Sequence, residues 1–233
     1  MLFDDKMKLE DEHRKIKEFW DRKMSQRSKS PPQFRYQEYF YLKYRDQIKE
    51  PILDLGCGDG EFLDMVCKDG KLDIYGLDIS EVAVQLARKR LYPYLGNSVD
   101  ERIKMGDMIF TSNYFKKDFF GTVVCEGTIH QSTCTGARMT ANEIHKVLVR
   151  GGLAYISTRS RSTIPDHATQ VEGERETYRM VGEGGVVRCY FSREGVIRLV
   201  EDLFEIIELE EKEVILRVEG TPYKMWILVL KKP

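Results

Sequence analysis

The sequence predicts an α/β protein whose core is a mostly parallel sheet covered by helices on both faces. Three observations carry this. Short apolar runs alternate with amphipathic stretches from Pro51 onward, the first run leads into a turn with a glycine at every second position, and the second run ends in an acid. Strands that alternate with helices in this way form βαβ units with right-handed crossovers.

Bulk properties narrow the class. A chain of 233 residues suits one such domain with a well-buried core. With 37 basic and 38 acidic residues the net charge is -1, which excludes a global electrostatic footprint for nucleic acid and a polybasic membrane anchor. Hydrophobic content of 42% beside 32% charged residues describes a folded chain rather than a disordered one. The five cysteines (Cys57, Cys67, Cys125, Cys134, Cys189) show no C-x-x-C spacing, so they read as reduced thiols in a cytoplasmic protein, with no metal site. Residues 1–30 are too charged for a signal peptide, and no apolar run reaches the length of a membrane span.

In chain order, Leu9, Ile16, Phe19, Trp20 and Met24 give the first thirty residues one apolar helical stripe, which must lean on something. Ser28-Lys29-Ser30-Pro31-Pro32 breaks that helix, because consecutive prolines remove amide donors. A second, aromatic-rich helix is expected over 34–48, which makes residues 1–50 an N-terminal helical cap on a domain of 51–233. The strands expected next are 52–55, 73–77, 102–105, 122–125 and 153–157. Between them, Phe62, Leu63, Val66 and Cys67 mark the inner side of a helix over 61–67. Ser80 caps the next helix, and Gly151-Gly152 stops the one that carries Ile144, Val147 and Leu148. Residues 158–190 form a polar, aperiodic insertion on the substrate side. Ser192 caps a last helix, and two β-rich runs, 204–209 and 225–230, close the chain as an antiparallel hairpin over Gly220-Thr221-Pro222.

The glycine turn is Asp54-Leu55-Gly56-Cys57-Gly58-Asp59-Gly60, with Glu61 and Phe62 opening the helix. Its spacing is G-x-G-x-G rather than the G-x-G-x-x-G of dinucleotide enzymes. A pyrophosphate needs the free amides and positive end of a helix N-terminus. Here Asp54, Asp59 and Glu61 would repel it, and they suit a cofactor with cationic groups and no phosphate, such as S-adenosylmethionine. Asp78, eighteen residues after Gly60, can accept hydrogen bonds from both ribose hydroxyls. Asp107 in Gly106-Asp107-Met108 can meet an adenine amino group, with Met108 packing on the ring.

These segments, together with Tyr75-Gly76-Leu77-Asp78-Ile79-Ser80, Val123-Val124-Cys125-Glu126-Gly127-Thr128-Ile129-His130-Gln131 and Leu148-Val149-Arg150-Gly151-Gly152-Leu153, make the chain resemble the class I S-adenosylmethionine-dependent methyltransferases from Ile52 to the C-terminus. The resemblance implies a Rossmann-like three-layer sandwich, with a seven-stranded, mostly parallel sheet and its last strand antiparallel. It implies that Gly56, Gly58 and Gly60 approach the methionine part, Asp78 the ribose, Asp107 and Met108 the adenine, and Glu126 and Gly127 the methyl. Asp54, Cys57, Phe62 and Ile79 complete the expected cofactor-binding set. The product would be S-adenosylhomocysteine.

After strand four the sequence Cys125-Glu126-Gly127-Thr128-Ile129-His130 stands where base-nitrogen methyltransferases usually carry Asn/Asp-Pro-Pro-Tyr/Phe. That looks like the small-molecule branch, which includes tellurite-resistance and ubiquinone-type enzymes. Many relatives also carry an acid just before strand four, where this chain has Phe120-Gly121. The implied mechanism is in-line displacement at the sulfonium methyl, with His130 as the candidate general base if the nucleophile arrives protonated. The same histidine also suits a structural cap. Tyr36, Tyr39, Gln131 and Arg159 are the substrate-side candidates, while most other aromatics of 34–44 read as core. His13 and His145 read as surface groups, and Cys57 as a small side chain in a close turn. A nucleic-acid or protein methyltransferase, a nicotinamide-dependent oxidoreductase and a non-catalytic cofactor-binding module are the alternatives. Both a monomer and a homodimer are compatible with the sequence.

Overall fold

A computed structural model describes residues 3–26, 36–215 and 222–233. The expected break at 28–32 and the turn residues Gly220 and Thr221 lie outside the described residues. In chain order come α1 (Phe3–Gln26), α2 (Tyr36–Lys43), β1 (Ile52–Leu55), α3 (Glu61–Lys68), β2 (Ile74–Asp78), α4 (Glu81–Leu95), α5 (Val99–Arg102), β3 (Ile103–Met105), α6 (Thr111–Tyr114), β4 (Phe120–Cys125) and α7 (Cys134–Val147). There follow β5 (Leu148–Arg159), β6 (Ala168–Gln170), β7 (Thr177–Met180), β8 (Val186–Cys189), α8 (Arg193–Val200), β9 (Glu205–Ile215) and β10 (Pro222–Lys231).

Seven strands form one sheet in the order β3-β2-β1-β4-β5-β10-β9. The first five are parallel, and β10 runs antiparallel to both β5 and β9. The order reverses beside β1, so β1 and β4 part at their carboxyl ends, where open α/β sheets hold ligands. The expected fold class, with its antiparallel last strand, is borne out.

Both faces of the sheet are covered, which is why its strands read as nearly continuous apolar runs. Leu53 and Leu55 of β1 pack toward α7 and α8, while Ile52 packs toward α2, α3 and α4. Phe62, Leu63, Val66 and Cys67 form the buried side of α3. Phe40 of α2 stacks on Tyr155 of β5 at 4.8 Å between ring centroids. The Ser80 side chain accepts from the Ala83 amide at 3.2 Å, and Ser192 caps α8 through the Gly195 amide at 3.0 Å.

Several sequence expectations need correction. The aromatic helix is shorter than 34–48, because the chain turns after Lys43 and the Ile48 amide bonds back to the Tyr44 carbonyl. Gly151-Gly152 does not stop α7, which ends at Val147 with Leu148 already extended. The glycines lie inside a long β5, where Gly151 takes φ 73° and the pairing with β4 shifts register. Phe120-Gly121 belongs to β4 itself. The 158–190 segment is not aperiodic: β6, β7 and β8 form a three-stranded antiparallel sheet. Its Tyr178, Met180, Val186, Val187 and Tyr190 make a small core with Ile16 and Phe19 of α1. Strands of three and four residues leave too little alternation to be read from sequence.

The reading of all five cysteines as thiols is also overturned. Cys134 and Cys189 form a disulfide that ties the start of α7 to the end of β8, with their Cα atoms 5.2 Å apart. Their separation of 55 residues gave no sequence signal. Cys57, Cys67 and Cys125 are free and buried. Among the described residues, no helix is long and apolar enough to cross a membrane and no group of His, Cys, Asp and Glu could hold a metal.

Phe120 is fully buried and meets Phe119, Phe115 and Tyr75 edge-on at 5.0, 5.3 and 5.4 Å. Phe120→Ala should therefore cost about 3–5 kcal/mol, seen as a lowered urea midpoint with an unchanged slope.

Candidate active site

The site is built where β1, β2, β4 and β5 end. The chain leaves β1 and reverses into α3 within a few residues, and Gly56 and Gly60 take φ of 75° and 78° to do so. At both positions close approach adds to the conformational demand. A Cβ on Gly56 would collide with the Thr128 side chain, and one on Gly60 would lie 3.2 Å from Ala87 and from Leu91 of α4. Cys57 is buried in this turn, and burial, reinforced by the Asp78 and Asp54 charges, pushes its thiol well up. It stays protonated and acts as a packing group.

Asp78, at the end of β2, joins two turns. Its Oδ2 accepts from the Gly58 amide at 2.8 Å and its Oδ1 from the Ser80 amide at 2.9 Å. Burial pushes the carboxyl pKa up, opposed by the Ser80 and Gly58 hydrogen bonds, and the Asp21 charge adds to the rise. Each oxygen keeps a further lone pair, which is the acceptor pattern a vicinal diol fits. The carboxylates of the glycine turn are not equivalent. Asp59 is paired with Arg90, which donates to its Oδ2 at 2.9 Å and to its carbonyl at 2.8 Å. One of the three acids invoked from the sequence is therefore already neutralised.

α1 crosses the strand ends and roofs them. His13, expected at the surface, is only 4% exposed. Its Nδ1 lies 2.5 Å from Asp107 Oδ2 and its Nε2 lies 2.6 Å from Ser132 Oγ. Asp107 Oδ1 also accepts from the Ile109 amide at 3.1 Å, and Met108 packs with Leu9 of α1. Two turns further along, Asp21 accepts from Ser80 Oγ at 2.6 Å and from Lys17 at 2.6 Å. Glu12 pairs with Arg179 of β7 at 2.8 Å. Spacing held the missed signal: His13 lies four residues after Leu9 and three before Ile16, on the same helical face.

At the ends of β4 and β5, Glu126 and Gly127 are half-buried. The Gly127 amide donates to Ser157 Oγ at 2.8 Å, and a Cβ on Gly127 would meet open space. His130 is 2% exposed, so its ring is enclosed by protein rather than presented to an opening. It does not cap α7 either; Thr133 does, through the Gly136 amide at 3.1 Å. Burial, then Arg159 and Arg188, push its pKa well below the usual histidine range, so the ring is neutral. Gln131 Oε1 accepts from Arg188 Nε at 3.0 Å, and that fixes the amide so that its Nε2 donates to His130 Nε2 at 3.2 Å. The ring proton then sits on Nδ1, which has no hydrogen-bond partner. Arg188 also forks onto Glu183 at 2.7 and 2.5 Å.

Of the remaining candidates, Ile79 is half-buried beside Asp78, and Asp54 is buried in β1. Phe62 is core, 3% exposed and edge-on to Tyr41 at 6.2 Å. Tyr39 is 51% exposed with the Lys43 ammonium 5.8 Å from its ring. Tyr36 opens α2, and its side chain lies outside the described residues. Arg159 is half-buried at the end of β5, stacked on Tyr223 with its guanidinium 3.7 Å from the ring centroid.

Residues 52–152 match the family model described as a methyltransferase domain. No curated protein matches the chain. Among solved structures, the fold is shared by a S-adenosylmethionine-dependent methyltransferase from Anabaena variabilis, at 16% identity and a TM-score of 0.67, covering 95% of each chain. It is shared by N-methyltransferase NodS from Bradyrhizobium japonicum in complex with S-adenosylhomocysteine, at 13% identity and a TM-score of 0.65, covering 94% of this chain and 99% of that one. The magnesium protoporphyrin IX methyltransferase of Synechocystis, with bound S-adenosylhomocysteine, aligns at 14% identity and a TM-score of 0.63, covering 94% and 98%.

Two carboxylates anchor α1, and both are held below their ordinary values of 4.5 and 3.8. For Glu12 burial pulls upward, but the Arg179 bond and charge outweigh it; for Asp21 burial is likewise outweighed by Lys17 and Ser80. Depressed acids contribute stability above those ordinary values and lose it as pH falls through the lower folded ones. Limited proteolysis within α1 should therefore accelerate as pH drops below about 4, and an E12Q/D21N double variant should cleave readily at pH 7 with a flatter profile.

Proposed function

We propose that the chain, whose residues 52–152 match a methyltransferase domain, is a class I S-adenosylmethionine-dependent methyltransferase that moves the methyl group to a small-molecule acceptor. The observation that carries this reading is the roof. α1, held at Asp107, Ser132 and Ser80, and the small sheet beside it enclose the strand ends, which suits an acceptor small enough to enter rather than a polymer laid across a surface. The segment Cys125-Glu126-Gly127-Thr128-Ile129-His130, without the base-methylating motif, agrees with it. Two structural neighbours, an N-methyltransferase and a magnesium protoporphyrin IX methyltransferase, are consistent with it at the level of fold.

The residues present fit the methyl donor. Asp78 has two spare acceptor sites that would take the ribose hydroxyls, and Asp54 and Glu61 flank the turn Gly56 to Gly60 that would take the methionine end. Asp107, with the lone pairs that His13 and Ile109 leave, would hold the adenine amino group, with Met108 packing on the ring. Glu126 and Gly127 would border the methyl group.

When bound, S-adenosylmethionine supplies an activated methyl whose leaving group is a neutral thioether. The chain's own contribution is then alignment and exclusion of water. The α1 roof excludes solvent, and Ser157 fixes the Gly127 backbone by accepting its amide. His130 gives its acceptor nitrogen to Gln131, so it acts in shaping this wall and not as a base.

Asp78→Ala should weaken S-adenosylhomocysteine binding about tenfold or more, because a charge-assisted hydrogen bond is worth roughly 1.5–3 kcal/mol. Calorimetry measures this, with circular dichroism confirming an unchanged fold. Incubating the protein with methyl-labelled S-adenosylmethionine and a fractionated cell extract should label the small-molecule fraction. Label confined to RNA or protein overturns the small-molecule reading.

A further inference from the structure

The end of β5 carries a charge that nothing else in the site explains. Arg159 is half-buried, its Nε is buried without a hydrogen-bond partner, and among the described residues no carboxylate pairs with it. That Nε donor is costly, because it has given up water without gaining an acceptor. Tyr223 supports its face at 3.7 Å, so the planar group is held in one orientation. Arg188 is already forked onto Glu183 and His130 is neutral, so neither neighbour supplies Arg159 with an anion.

Position ties this charge to the transfer site. Arg159 lies two residues beyond Ser157 on the same strand, so both side chains project from the same face. Ser157 holds the amide of Gly127, the residue that borders open space after β4.

We propose that the methyl acceptor carries a carboxylate and that Arg159 is its charge partner. This rests on the small-molecule reading above and adds the chemical class. A guanidinium offers parallel N–H donors that match the two oxygens of a carboxylate, and the pairing would satisfy a group the protein alone leaves unmet. A cationic acceptor would be repelled by the same charge.

The test uses the protein loaded with S-adenosylhomocysteine and paired probes, hydroxy- and aminobenzoates against the matching benzamides, with binding read by calorimetry. The same pairs are then offered with labelled S-adenosylmethionine. Acids should bind or accept methyl about tenfold or more better than their amides. Arg159→Gln should erase that preference, Arg159→Lys should restore part of it, and S-adenosylhomocysteine affinity should not change in either variant. Equal behaviour of acids and amides in the wild type, failure of every acid to bind at millimolar concentration, or a preference that survives Arg159→Gln overturns the proposal. Methyl transfer to neutral acceptors alone sinks this inference while the small-molecule reading stands. Label found only in RNA or protein sinks both.

Discussion

The site depends on the Asp78 carboxylate gripping two backbone amides. Gly58 belongs to the turn after β1 and Ser80 to the turn after β2, so one side chain fixes the relative height of both loops at the switch point of the sheet. Substituting an apolar residue would leave two amides unpaired at the centre of the site. Each oxygen of that carboxylate accepts one amide and keeps a further lone pair, so the group that organises the loops has acceptor capacity to spare.

The roof is attached to this element. Ser80 caps α4 with its hydroxyl and donates that hydroxyl's proton to Asp21, so α1 is pinned two residues away from Asp78. Its second anchor runs from Asp107 through His13 to Ser132, across the ends of β3 and β4. The helix therefore touches three loops of the cleft without contributing to the sheet. Enclosure follows from these polar anchors together with the apolar contacts of Leu9, Ile16 and Phe19.

Much of the domain was legible because its signals are local. The glycine spacing, the Ser80 and Ser192 caps and the apolar face of α3 are each set within a turn or two of chain, and each appears where the residues put it. The antiparallel closing strands were legible for the same reason. The small sheet of β6 to β8 was not, because strands of three or four residues carry too few alternations. Asp59 misled: its sequence position put it at the helix N-terminus, but Arg90 of α4, 31 residues on, takes its charge. The Cys134–Cys189 bond joins residues that only the docking of β8 on α7 brings together.

By itself the sequence determined the architecture, since alternating strands and amphipathic helices follow from periodicity, while its short motifs raised the expectation of a methyl donor at the strand ends. The tertiary structure alone decided which polar side chains face that cleft. His13, 94 residues from Asp107, became buried because α1 lies across the strand ends, and His130 was enclosed by Arg188 and Gln131. Arg159 was left without an acid for the same reason. Burial and charge pairing are set by distant segments meeting, and no local pattern encodes which segments meet.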